Sequence, residues 1–130
     1  MKNIFILLSH KITPEQEKEI YEDLKCKNIF YLSEDLQKIW SNINPEGGLP
    51  LDKISEIVQL LNKESKEGDY ILVQGDVGAV FYIVDWCFKN DRIPIYATTK
   101  RIFQEEKLPD GSIRNTHIFK HENFRKFVQF

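Results

Sequence analysis

A chain of 130 residues is the length of one domain and leaves no room for a second. With 42% hydrophobic residues, including nine Phe, five Tyr and two Trp, it can fill a core, which excludes a disordered, charge-swollen polymer. Its 18 basic and 20 acidic residues leave a net charge of -2, too little positive charge for a protein that lives on long duplex nucleic acid, although a small anion needs only a few placed donors.

Cys26 and Cys87 lie far apart and follow no CxxC or Cys/His spacing, which points to ordinary thiols in a reducing compartment. The apolar run Ile4–Leu8 behind Lys2 is too short for the core of an export signal. The longest apolar stretch, Ala79–Val84 with Trp86-Cys87-Phe88 beyond Asp85, falls short of the roughly 18 residues a membrane span requires. A soluble, cytoplasmic protein is expected.

Asn3–Leu8 is a continuous apolar run, the mark of a strand covered on both faces. Thr13-Pro14-Glu15-Gln16 reads as a helix start: Thr13 caps, Pro14 takes the first helical position, and Gln16 completes a capping box for a helix reaching about Lys25. Asn28–Leu32 is a second strand, and Ser33 caps a helix through Leu36, Ile39 and Trp40. After the loop Asn44-Pro45-Glu46-Gly47-Gly48, Leu51–Lys66 is a long helix with an apolar stripe, ended by Gly68. Tyr70–Gln74 is the third strand. Gly75-Asp76-Val77-Gly78 then turns into an apolar helix running to about Lys89, either buried between layers or set in a subunit interface. Ile93–Ala97 is the fourth strand. Arg101–Leu108 and Ser112–Phe119 flank the turn Pro109-Asp110-Gly111 as a hairpin, and His121–Phe130 is a short helix or strand. Four alternations of strand and helix predict a Rossmann-like α/β domain spanning residues 1–130: a mostly parallel sheet, helices on both faces, and a C-terminal antiparallel hairpin.

In such sheets ligands bind beyond the C-terminal ends of the strands. Ser9 and His10 follow strand one, Ser33 follows strand two, Gln74-Gly75-Asp76-Val77-Gly78 follows strand three, and Thr98-Thr99-Lys100-Arg101 follows strand four. Glycines at Gly75 and Gly78 would let backbone amides approach a phosphate, or would simply serve the turn with Asp76 as a helix N-cap. Neither GxGxxG nor GxxxxGK[ST] is present. Thr98 and Thr99 offer hydroxyl donors, Lys100 a point charge and Arg101 a planar fork, unless they are only a solvated basic strand start. His10 could move a proton near neutral pH or be bonded to backbone. His117 and His121, four apart on a strand-like segment, stand about 13 Å apart. No group of His, Cys and carboxylates has metal-ligand spacing, so no metal and no cofactor are expected.

The stretches Leu36–Ile43 (LQKIWSNI), Val73–Gly78 (VQGDVG) and Pro94–Arg101 (PIYATTKR), followed by the PDG turn, resemble a small CRISPR-associated family of type III systems, grouped with ring nucleases of CARF-like Rossmann fold. The turn departs from that pattern in carrying Val77 where a bulkier residue such as Phe is expected. The resemblance covers nearly the whole chain. It implies a homodimer, with the apolar helix behind Gly78 placed to form its interface and the ligand across its axis, that binds cyclic oligoadenylates, cyclic tetra-adenylate foremost, and cleaves them without metal through the ribose 2′-hydroxyl, switching off the effectors these messengers activate. On that reading His10 is the proton-transfer candidate and Lys100 and Arg101 supply charge. Ser9, Gln74, Gly75, Asp76, Gly78, Thr98 and Thr99 would then contact the ligand. A module that binds the messenger without cutting it would use the same cations and glycines.

Overall fold

The computed structural model describes residues 1–130. Five strands, β1 (Ile4–Leu7), β2 (Ile29–Tyr31), β3 (Tyr70–Val73), β4 (Ile93–Lys107) and β5 (Ile113–Lys126), form one sheet in the order β2-β1-β3-β4-β5. The first four are parallel and β5 runs antiparallel to β4. The helices are α1 (Pro14–Glu22), α2 (Glu34–Ser41), α3 (Leu51–Glu64) and α4 (Val77–Lys89). The expected α/β architecture is the observed one.

The layer arrangement follows from the strand order. From β1 the chain steps outward to β2, then returns past β1 to β3 and continues to β4. Crossovers between parallel strands are right-handed, so reversing the direction of travel also reverses the face on which the crossover runs. Accordingly α1 packs through Ile20 against Ile4, Ile6, Leu8 and Leu72 on one face. On the other, Trp40 of α2, Ile54, Ile57 and Leu61 of α3, and Ala79, Ile83 and Cys87 of α4 pack against Phe5, Leu7, Ile71 and Val73. The continuous apolar runs of β1 and β3 thus reflect burial from both sides.

Local chemistry sets the helix starts as the sequence implies. Gln16 N donates to Thr13 Oγ1 at 3.2 Å while Thr13 N donates to Gln16 Oε1 at 2.9 Å, so both halves of the capping box form. Ser33 Oγ accepts from Leu36 N at 3.4 Å. Of the apolar helix α4, the stripe Ala79, Ile83 and Cys87 is fully buried, whereas Val77 and Phe81 on its other side stay largely exposed.

The C-terminal third differs from expectation. Ile93–Ala97 and Arg101–Leu108 are not separate elements but one strand, β4; of the two alternatives for the tail, helix or strand, His121 to Lys126 takes the strand and continues β5. The reason is the ladder: β4 pairs with β5 from Ile95↔Lys126 to Lys107↔Ile113, interrupted only by a bulge between Thr98 and Thr99. Every residue of Thr98–Arg101 therefore has a strand partner and no cause to turn. The Pro109-Asp110-Gly111 turn is as expected, with Gly111 at φ +88° and Asp110 Oδ1 accepting from Ser112 N at 2.9 Å. Beyond the parallel core the two strands project as a ribbon about 30 Å long. Its root is fixed to α1 by Glu19, whose Oε1 lies 2.6 Å from His121 Nε2 and whose Oε2 accepts from Phe124 N at 2.8 Å.

Burial pushes the Cys26 thiol up to about 11 and the Cys87 thiol up to about 12. Both therefore stay neutral, shielded thiols at mildly alkaline pH. Titration of the native protein at pH 8 with an aromatic disulfide reagent is expected to detect no fast-reacting thiol, and two after unfolding in denaturant; a rapid native reaction would contradict this packing.

Candidate functional site

In a 2-1-3-4-5 sheet the step direction reverses at β1, and the crevice at the C-terminal ends of β1 and β3 is the usual ligand position. Here that crevice is largely filled. Trp40, reaching over from α2, is buried there and donates from Nε1 to the Gln74 carbonyl at 3.0 Å. Gly75 has φ +156°, and a Cβ at this residue would lie 3.1 Å from Trp40 Nε1. The glycine is therefore needed by the indole and by the backbone angle, without reference to a phosphate.

The neighbouring predicted contacts also carry structural duties. Gln74 spends its amide on β4, Oε1 accepting from Ala97 N at 3.0 Å and Nε2 donating to Ala97 O at 3.4 Å. Asp76 is the N-cap of α4, its Oδ2 accepting from Ala79 N at 3.0 Å. That carboxylate satisfies one of the free amides and sets a negative charge at the helix end where an anion would have to bind. A Cβ on Gly78 would meet Leu49 Cδ1 at 3.4 Å, an ordinary contact distance. The expected phosphate cradle from Gly75 to Gly78 is a Trp40-packed, Asp76-capped turn.

Nor do the cations of β4 join it. Thr98 Oγ1 bonds to Asn123, 2.7 Å from Oδ1 and 3.0 Å from its carbonyl, and Thr99 stands at the bulge. Lys100 and Arg101 are consecutive residues of a strand, so their side chains leave opposite faces of the ribbon and cannot converge on one ligand oxygen. Neither of them lines the cavity at the ends of β1 and β2 or the one beside Gln74 and Gly75.

The functional groups that do converge lie one strand over, at the ends of β1 and β2. A cavity of about 640 Å³ opens there between the start of α1 and the flank of α2. Ser9, His10 and Lys11 enter it from β1, Tyr31 from β2, and Gln37, Lys38 and Ser41 from α2, with Glu17 and Glu34 on its walls. Gln37 holds the two sides together, Nε2 donating to the Leu8 carbonyl at 2.6 Å and to Ser41 Oγ at 2.9 Å. His10 Nδ1 lies 2.9 Å from the Lys11 carbonyl. A carbonyl only accepts, so Nδ1 donates in this contact and Nε2 is left without a partner. Burial, followed by the Glu17 carboxylate and then Tyr21, raises the Tyr31 phenol above its usual range, which keeps it a neutral hydroxyl beside an aromatic face. Lys38 is 3.6 Å from Glu34, whereas Lys11 has no ion-pair partner.

Ser9 and His10 are thus the sequence-predicted residues that the fold brings to this cavity; Gln74 and Gly75 border a separate one of about 320 Å³ beside Tyr96 and Phe127. Lys11, Tyr31 and Lys38 were missed. Lys11 could have been found as the residue after Ser9-His10, and Lys38 as the residue on the helix face flanking the β1 end one turn from Glu34. Tyr31 is masked by its place inside an apolar strand run.

A family model described as the uncharacterized protein MJ1673 family matches residues 2–125. The uncharacterized protein MJ1673 of Methanocaldococcus jannaschii is 39% identical over 127 residues, covering 98% of each chain. No solved structure matches the chain. The chain belongs to the MJ1673 family.

The contact between Gly75 and Trp40 is testable. Gly75→Ala is expected to lower unfolding stability by about 1–3 kcal/mol, through backbone strain and the approach to the indole, as read by urea denaturation. An unchanged midpoint would remove this explanation of the glycine.

Proposed function

We propose that this member of the MJ1673 family binds a cyclic oligoadenylate, cyclic tetra-adenylate foremost, beyond the C-terminal ends of β1 and β2 and opens it without metal as a ring nuclease. The observation that carries the reading is the convergence of Ser9, His10, Lys11 and Tyr31 on one cavity at the strand ends. The motif resemblance over Leu36–Ile43, Val73–Gly78 and Pro94–Arg101 supplies the ligand class.

Each nucleotide of such a ring sets a ribose 2′-hydroxyl beside a phosphate. His10 Nε2 takes the 2′-hydroxyl proton, and the oxygen attacks the adjacent phosphorus. The bond from phosphorus to the 5′ oxygen breaks, and that oxygen is protonated as it leaves. The products are a 2′,3′-cyclic phosphate and a free 5′-hydroxyl. Lys11 stabilises charge on the non-bridging oxygens, Ser9 and Ser41 donate to them, and Tyr31 offers a face for an adenine to stack on. In this reading the charge role falls to Lys11 and Lys38 instead of Lys100 and Arg101. A ring of two-fold symmetry suits a homodimer with one such cavity per copy.

A second reading, a module that holds the ring without cutting it, is favoured by one feature: Glu17 and Glu34 line the same cavity and Glu34 pairs with Lys38, leaving Lys11 as its one unpaired lysine. Product analysis separates the two. With EDTA present, the wild-type protein is expected to convert cyclic tetra-adenylate to linear products ending in 2′,3′-cyclic phosphate, and His10→Ala to slow this by about 100-fold or more while keeping binding. Binding by wild type with no cleavage selects the module; no binding of cyclic tri-, tetra- or hexa-adenylate removes both.

A further inference from the structure

Beyond Ala97 the inner edge of β4 has no neighbour. β3 ends at Val73, the Gln74 amide closes the ladder at Ala97, and from Thr99 to Lys107 the backbone groups on that side are unpaired. An open edge of this length invites another strand. The ribbon also needs cover: Phe103, Phe119 and Ile113 are each more than half exposed on one of its faces, and Ile118 is exposed on the other. A two-stranded ribbon in water is marginal on its own.

The side chains along this edge specify what fits it. Residues 100–106 read Lys-Arg-Ile-Phe-Gln-Glu-Glu, basic before Phe103 and acidic after it. Laid antiparallel against itself with a two-fold axis at Phe103, the strand sets Phe103 opposite Phe103 of the second copy, Arg101 opposite its Glu105, and Lys100 opposite its Glu106. Each pair also falls on a common face, because the pleat gives residues of equal parity the same side. The cross-strand partners within one copy fit the same arrangement. Lys100 stands opposite Lys120 with no carboxylate bridging either, a like-charge opposition that is unfavourable in isolation, while Glu106 already pairs with Arg114 at 3.2 Å. Across four strands the row becomes Arg114, Glu106, Lys100, Lys120, with a carboxylate set among three cations. His117 already packs on Phe103 with ring centroids 5.3 Å apart, so the central row becomes four aromatic rings.

We propose that the β4 edge from Thr99 to Lys107 is a self-complementary dimerisation edge, on which a second copy of this chain adds its own β4 in register about Phe103. The register sets Lys107 of the second copy opposite Thr99, so the tip of its ribbon reaches toward the C-terminal end of β3. The inference gives the homodimer of the proposed function its interface. It is read by mass and cross-linking, so its failure is distinct from a failure of ring cleavage. A partner nucleic acid fits less well, because Glu105 and Glu106 lie along the same edge.

The test is light scattering on the full chain across a concentration series. The wild type is expected near twice 15.4 kDa, and Arg101→Glu, which sets Glu against Glu105 twice, is expected to raise the dimer dissociation constant by about tenfold or more. Arg101→Glu combined with Glu105→Arg restores the pattern and should restore the dimer. Phe103→Cys, placed on the axis, is expected to form a disulfide-linked dimer under mild oxidation, whereas Ile102→Cys, whose partner in this register is Gln104, is not. A wild type that remains at 15.4 kDa, a dimer unmoved by Arg101→Glu, or linking through Ile102→Cys but not Phe103→Cys would overturn the proposal.

Discussion

The reversal of chain direction at β1 governs the remaining architecture. Because β1 sits between β2 and β3, the crossovers before and after β2 run on opposite faces, and one helix is left to cover what three cover on the other side. The same reversal leaves a crevice at the β1 and β3 ends. Trp40 closes it from the α2 side, and the hydrogen bond from its indole to Gln74 holds the β3 end in place. The free space shifts one strand outward, where α1 and α2 diverge and His10, Lys11 and Tyr31 meet. A bulky side chain in the core layer thus takes up the space between the β1 and β3 ends.

Local signals were legible and long-range ones were not. The Thr13–Gln16 capping box, the Ser33 cap and the Gly111 turn depend on residues within three or four positions, and each formed as its residue types require. The apolar runs at Ile4–Leu7 and Tyr70–Val73 announced strands buried on both faces. The continuity of β4 was hidden at its junction, because Thr98–Lys100, between the two segments read as strands, is polar and owes its extension to β5, about 20 residues along the chain. Gly75 suggested a phosphate turn because glycine marks close approach, but what approaches is Trp40, contributed by a different crossover. The pair Lys100-Arg101 looked like a cluster because the residues are adjacent; in a strand adjacency means divergence. The cavity was half visible: Ser9 and His10 follow from the strand-end rule, whereas Lys38 and Ser41 come to it only through the packing of α2.

The ribbon departs from the economy of the rest of the fold. Its root is held on both sides: Glu19 binds His121 and the Phe124 amide from α1, Gln74 ties Ala97 to the β3 end, and Tyr96 packs on Phe127 with ring centroids 4.7 Å apart. A hairpin serving only to connect two strands would be short; this one carries the ladder from the bulge at Thr98/Thr99 out to Lys107. The bulge increases the local twist at the point where β3 falls away, and so aims the two strands out of the parallel layer. A firmly oriented root, an uncovered shaft and a charge sequence that inverts about Phe103 belong together physically. The root fixes the angle at which a second strand must arrive, the uncovered edge supplies backbone affinity, and the inverted charges admit one register. A slip of one residue would separate Arg101 from Glu105 and turn Phe103 to the wrong face. Register is in this way specified at the edge itself, without help from the helices.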